Sequence, residues 1–220
     1  MTKSTFRSKL LRQLDKQKRS PKRPYHHGDL ERALIAAALG IIQADGVEGL
    51  TLRRVGASVG VSRTALYRHF DDKASLVARI AADGFHLLRE TLMRVRANAV
   101  PEANDTLEVM AAAHVHFAQA NPSHYAAMFG GFLGDWHAYP NVAEQAGAAI
   151  GELVQVIRDA QRRGHLGPGE PVVIAEVMWA LAFGIARLGN SNHLSGRALP
   201  IEALAVQGVR WVSDGCQTPT

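Results

Sequence analysis

The sequence predicts an all-α protein of about nine helices arranged in two unequal parts. Three observations carry that expectation. Apolar residues recur at i, i+3/i+4 and i+7 along most of the chain, and no strand-like alternation stands out. Capping residues and Gly/Pro turns cut the chain into helix-length pieces. The single cysteine, Cys216, removes any intramolecular disulfide framework and any Cys-based structural zinc site, so the fold must be held by an apolar core. With 220 residues, 47% of them apolar and 20% charged, the composition is that of a globular chain.

In order along the chain, Asp29 caps a first helix that runs to about Asp45-Gly46, with Leu30, Leu34, Ala37 and Ile41 as its apolar stripe. Thr51 is a good N-cap for a short helix Leu52–Val59, which Gly60 stops. Ser62 caps a third, Arg63 to about His69. Asp71 or Asp72 caps a longer one reaching about Asn98, in which Leu76, Ile80, Leu87 or Leu88, Leu92 and Val95 repeat. Pro101 separates it from a helix at about Asp105–Ala120, and Asn121-Pro122 precede a short helix around Ser123–Met128. Gly130 to Pro140 reads as a loop rich in glycine and aromatics. Three more helices follow, at about Asn141–Arg163, Pro171–Leu188 and Pro200–Ser213.

The formal charge of +5 is unevenly placed. Residues 1–24 carry nine Lys/Arg against one acid, residues 25–80 seven against six, and residues 81–220 nine against thirteen. A basic, flexible arm therefore precedes a nearly neutral segment and an acidic bulk, which points to an anionic partner at the N-terminal end. The arm is too charged for a secretory signal; Phe6, Leu10, Leu11 and Leu14 leave a transit peptide as the lesser alternative to a solvated or DNA-contacting arm. The apolar stretch Val172 to Ala186 contains Glu176, ends at Arg187 and is short of the ~20 residues that cross a bilayer. The expectation is a cytoplasmic protein with no membrane partner.

The run Thr51 to Phe70 writes two short helices across a tight turn at Gly60. Gly56 and Ala57 are small enough for close crossing, and Val55, Val61 and Leu66 supply apolar faces. This is the pattern of a helix-turn-helix, whose second helix is free to enter a major groove. Arg63 suits a guanine edge, and Thr64 suits a base edge or a thymine methyl. Ser62, Tyr67, His69 and Lys73 are placed for phosphate contacts that fix register. A short helix pair with a solvated basic face is the alternative reading of the same residues.

Val59-Gly60-Val61-Ser62, then Leu66-Tyr67-x-His69-Phe70-x-x-Lys73-x-x-Leu76, resembles the signature of the TetR family of transcriptional regulators, with Thr51-Leu52, Gly46 and Leu50 matching its lead-in. The resemblance is close over about residues 25–80 and looser beyond. It implies phosphate contacts from Thr51, Ser62, Tyr67, His69 and Lys73, with Arg63, Thr64 and Arg68 nearest the bases. Gly56 and Val59 stand where the family usually has alanine; the glycine should cost its helix about 1 kcal/mol. Tyr25-His26-His27-Gly28-Asp29-Leu30 resembles a subgroup marked by a Trp, His, Gly pattern late in the chain. Trp179 and Gly184 fit that pattern, but Phe183 occupies the histidine position.

The resemblance further implies domains at 25–72 for DNA binding and 73–220 for ligand binding and dimerisation, after the arm 1–24. For a ligand pocket, Met110, His114 and Phe117 share a helical face; Tyr125, Phe129 and Trp136 crowd the next stretch; Trp179 and Phe183 lie on the penultimate helix. Met and aromatic residues at helical spacing are more often plain core. For a dimer face, the last two helices offer Met178, Leu181, Ile185, Leu204, Gly208 and Trp211.

Metal sensing through His114, His116, His124 and His137 is disfavoured, because positions two apart on a helix point to different faces. No P-loop, GxSxG or cysteine-nucleophile motif is present, so no enzyme activity and no cofactor are expected. The function expected is a sequence-specific transcriptional repressor that binds a palindromic operator as a homodimer and responds to an unidentified small-molecule effector. A helical ligand-binding module or metal sensor without DNA specificity is the alternative.

Overall fold

A computed structural model of the chain describes residues 28–99, 105–191, 196 and 198–216. Among these residues the secondary structure is nine α-helices and one 3-10 turn. The helices are α1 (Gly28–Asp45), α2 (Leu52–Val59), α3 (Arg63–Tyr67), α4 (Lys73–Ala97), α5 (Thr106–Ala120), α6 (Pro122–Phe129), α7 (Pro140–Arg162), α8 (Pro171–Asn190) and α9 (Ile201–Gly215), with the 3-10 turn at Trp136–Ala138. The basic arm and Tyr25 to His27 lie outside the described residues.

The chain packs as two compact units. One holds the described residues up to His86 together with 121–146; the other holds 87–120 and 147 onward. Helices α4 and α7 each contribute residues to both.

In the first unit, α1 packs against α2 and α6, and α2 against α3. The buried face of α1 is Leu34, Ile35, Ala38 and Ile42. The expected stripe of Leu30, Leu34, Ala37 and Ile41 is therefore one residue out of phase, its other three members being only half-buried. Two neighbours, α2 on one side and α6 on another, draw the face round toward Ile35 and Ile42. Helix α6 is tied to α1 by the Ser123 hydroxyl, which donates to the Leu39 carbonyl at 2.9 Å. Against α4 it sits so closely that a Cβ on Gly84 would lie 2.6 Å from Met128 Sδ.

Phe85 is fully buried, edge-on to Phe129 and Trp136 at 5.4 and 4.9 Å between ring centroids. Asp72 caps α4: its carboxylate accepts from the Ser75 amide at 2.7 Å, while Ser75 Oγ accepts from the Asp72 amide at 3.2 Å.

In the second unit, α5, α8 and α9 pack on one another. Close approach sets their crossings. A Cβ on Gly189 would fall 1.6 Å from Ile201 Cδ1, and one on Gly208 would fall 2.7 Å from Leu181 Cδ2. Arg210 on α9 forks onto Glu108 on α5, at 3.0 Å from Nε and 2.7 Å from Nη2. Glu152 is buried between two guanidiniums, 3.5 Å from Arg89 Nε and 3.2 Å from Arg96 Nη2.

Helix α8 reaches 20 residues, not the shorter apolar stretch read from the sequence, and by length and composition alone it could cross a membrane. It carries Glu176 and Arg187, and it buries Ile174, Ala175, Met178, Ala182, Ile185 and Ala186 within its own unit.

Candidate nucleic-acid interface

The turn between α2 and α3 is built residue by residue from the sequence. Thr51 is extended and its Oγ1 accepts from the Arg54 amide at 3.2 Å, starting α2. Gly60 closes that helix at φ +75°, a left-handed conformation that costs glycine little, and the Val61 amide returns to the Gly56 carbonyl at 3.0 Å. Ser62 is again extended and accepts from the Ala65 amide at 3.2 Å, starting α3. Gly56 is buried, and a Cβ there would press Leu66 Cδ1 at 3.2 Å. The glycine that weakens α2 therefore lets α3 come close. Ala57 is exposed and plays no part in that contact, contrary to the sequence reading.

Helix α3 turns Leu66 into the core and leaves Arg63, Thr64, Tyr67 and Arg68 exposed. Arg63 lies over the Tyr67 ring, 5.8 Å from its centroid. A groove of about 260 Å³ runs between the two helices, lined by Arg53, Ala57, Arg63 and Tyr67 above Leu52, Gly56, Val61 and Leu66. Arg53 was missed by the sequence reading; its place four residues before exposed Ala57, on one helical face, was the available signal.

Thr51 and Ser62 are exposed, and each hydroxyl, while accepting from its capped amide, keeps its proton to donate. His69 is exposed, with Nδ1 4.0 Å from Glu31 Oε2. Lys73 is half-buried; its ammonium donates to the Glu48 carbonyl at 3.3 Å and sits 4.5 Å from the centre of the Phe132 ring.

A latch holds the head together. Arg54 donates to Asp45 Oδ2 at 2.5 Å and to the Gly49 carbonyl at 2.6 Å, joining α2 to the end of α1. Arg54 is thus a scaffold residue, although it adjoins Arg53 in sequence.

The second unit holds a narrow apolar cleft lined by Leu92, Leu107, Met110, Ala111, His114, Leu153, Met178, Trp179, Ala182 and Val209. About 20 Å³ is free, room for little more than one water molecule. Three of the expected pocket residues meet here: Met110, His114 and Trp179. His114 is buried edge-on to Trp179 at 5.0 Å, and desolvation lowers its pKa to about 4. Phe117 is buried but does not line the cleft, and neither does half-buried Phe183. Tyr125, Phe129 and Trp136 belong to the first unit, where they form the aromatic cluster around Phe85.

Of the residues expected at a dimer face, Met178 is buried and lines the cleft, Ile185 is buried, and Leu181 and Gly208 meet each other within the chain. Leu204 is half-buried and Trp211 is 66% exposed. Val173, Val177 and Leu188 on α8 are exposed as well. Among the described residues no group of three His, Cys, Asp or Glu side chains is placed to hold a metal ion.

A capped pair of short helices across a glycine turn, the second with an exposed face, is the helix-turn-helix arrangement of DNA-binding proteins. Family comparison agrees. Residues 34–80 match the model for bacterial regulatory proteins of the tetR family, and residues 107–211 match the tetracyclin repressor-like C-terminal domain. The chain belongs to the TetR family.

A helix-turn-helix-type transcriptional regulator of Mycobacterium tuberculosis is 28% identical over 97 residues, which are 44% of this chain and 42% of that one. The chain thus spans less than half the length of the curated relatives it matches. A Rhodococcus protein of unknown function aligns over 89% of this chain and all of its own, at 34% identity and a TM-score of 0.77. The TetR family regulator PfmR of Thermus thermophilus shares the fold at 15% identity, with a TM-score of 0.64 over 84% of this chain and 99% of its own.

Proposed function

We propose that the chain is a cytoplasmic repressor without catalytic activity, which binds a palindromic operator as a homodimer and releases it when a small-molecule effector binds. Functionally, residues 25–72 read DNA, residues 73–220 bind the effector and dimerise, and the arm 1–24 adds phosphate contacts. The observation that carries the reading is the exposed row Arg63, Thr64 and Tyr67 on a helix whose one buried residue is Leu66, with exposed Arg68 just past its end. Arg63 and Thr64, with Arg68 nearby, reach base edges; Thr51, Ser62, Tyr67, His69 and Lys73 hold phosphates.

A five-residue reading helix offers too few base contacts for useful specificity alone, so two copies are needed. The exposed Val173, Val177 and Leu188 on α8, with Leu204 and Trp211 on α9, supply an apolar face for the second copy. The effector occupies the cleft around Met110, His114, Met178 and Trp179, which must widen to admit it. Helix α4 belongs to both units and carries the change to the reading head. Linkage makes the coupling reciprocal: an effector that weakens operator binding must itself bind the operator complex less tightly.

The test is a footprint of the full chain on the DNA flanking its own gene. A protected site with two-fold symmetry supports the proposal. Protection without sequence preference, or none at all, overturns it.

A further inference from the structure

The second unit carries another cleft, polar and larger than the apolar one, at about 190 Å³. Its walls include Arg96 near the end of α4, Thr106 and Leu107 at the start of α5, and Asp159, Arg163 and His165 around the end of α7.

Positive charge is in excess there. Glu152 is shared by Arg89 and Arg96, and Asp159 is already paired with Arg162. Arg163 has no ion pair among the described residues. On the cleft wall itself two guanidiniums, Arg96 and Arg163, and the His165 imidazole face one carboxylate, Asp159, in a stretch (residues 81–220) where acids outnumber bases thirteen to nine.

Capping the end of α7 does not explain the basic groups. Gly164 at φ +72° lets the His165 amide reach the Ala160 carbonyl at 2.9 Å while its own amide reaches Gln161 at 3.0 Å. Backbone groups thus satisfy the last carbonyls of the helix. The Gln161 side chain then pins the following loop by donating to the carbonyls of Gly167 and Gly169, at 3.1 and 3.0 Å. His165 is held at the cleft by this fixed turn. Leu107 lines both the polar and the apolar cleft.

We propose that this cleft binds a small organic carboxylate. The guanidiniums of Arg163 and Arg96 receive the anion, Thr106 and His165 offer further donors, and a short apolar body lies on Leu107. Together with the effector reading, on which only its regulatory meaning rests, this gives the effector a chemical class: an apolar body with one carboxylate.

Calorimetric titration of the full chain with butyrate, acetate and inorganic phosphate, at ionic strength held constant with sodium chloride, tests the site. Butyrate should saturate at one per chain and bind more tightly than acetate or phosphate. Arg163→Gln should weaken butyrate about tenfold or more. Arg158→Gln, the same charge change at an exposed position on α7 outside the cleft lining, should leave it unaltered. Unsaturable heats, equal losses in the two variants, or tighter binding of phosphate would overturn the proposal. The titration contains no DNA, so a failure of the regulatory reading would leave its result unchanged.

Discussion

The guanidinium of Arg63 rests over the ring of Tyr67, four residues further along α3, at 5.8 Å from the ring centroid. Both side chains are exposed, so Tyr67 holds the arginine's planar fork in place before any DNA arrives. Arg63→Ala should lower the preference for the cognate site over a single-base variant by about 1–3 kcal/mol while leaving non-specific affinity nearly intact. Tyr67→Phe keeps the ring and removes only the hydroxyl, so it should weaken cognate and non-specific duplexes alike. Competition anisotropy with both duplexes checks the split.

Gly60 should tolerate substitution according to backbone conformation alone. A Cβ there meets nothing within 4 Å, so the cost of Gly60→Ala is that of φ +75°, about 1–2 kcal/mol. Gly60→Asn should cost less, because asparagine enters the left-handed region more readily. Thermal unfolding of the three proteins should rank them glycine, asparagine, alanine.

His114 should give the protein an acid-sensitive stability. Its pKa falls from 6.5 in the unfolded chain to about 4 in the fold because burial disfavours the imidazolium. Between those values the unfolded state binds more protons, so stability is full above pH 6.5 and declines as pH falls toward 4. The loss is about 3 kcal/mol at most. His124 is also lowered by burial, against the opposing pull of Asp83, and adds to the same trend. Urea unfolding at pH 7 and pH 4.5 should show a smaller pH effect in His114→Gln than in the parent.

Charge on the outer face of α8 should break the dimer without unfolding the chain. Val173 and Val177 are 54% and 49% exposed, so Val173→Asp/Val177→Asp removes no intrachain core. Sedimentation should give a dimer for the parent and a monomer of unchanged helical content for the variant. A monomeric parent would contradict the proposed assembly.

Local chemistry made the helix ends legible in the sequence. Thr51, Gly60, Ser62 and Asp72 each satisfy backbone groups within three or four residues, and each stands where its residue type predicts. Which face a helix buries depends on neighbours far away in the chain, and there the reading slipped. The stripe that spacing gives α1 lies one residue out of phase with the face that α2 and α6 cover.

Tyr125, Phe129 and Trp136 had the composition of a pocket wall, yet Phe85, forty or more residues upstream, gathers them into core. Arg53 and Arg54 are adjacent and chemically identical, and only the fold separates them. One lines the reading groove; the other is latched to Asp45 and Gly49. The polar cleft joins α4, α5 and α7, which no local pattern could assemble.

In the proposed complex α3 reads sequence through Arg63 with two-fold symmetry. Selection of bound duplexes from a random pool, run in parallel for the full chain and its Arg63→Ala variant, tests it most directly. The parent should give a palindromic consensus, and the variant should lose preference at one symmetric pair of positions with the rest retained. An unstructured consensus for the parent, or an identical consensus for both proteins, would contradict it.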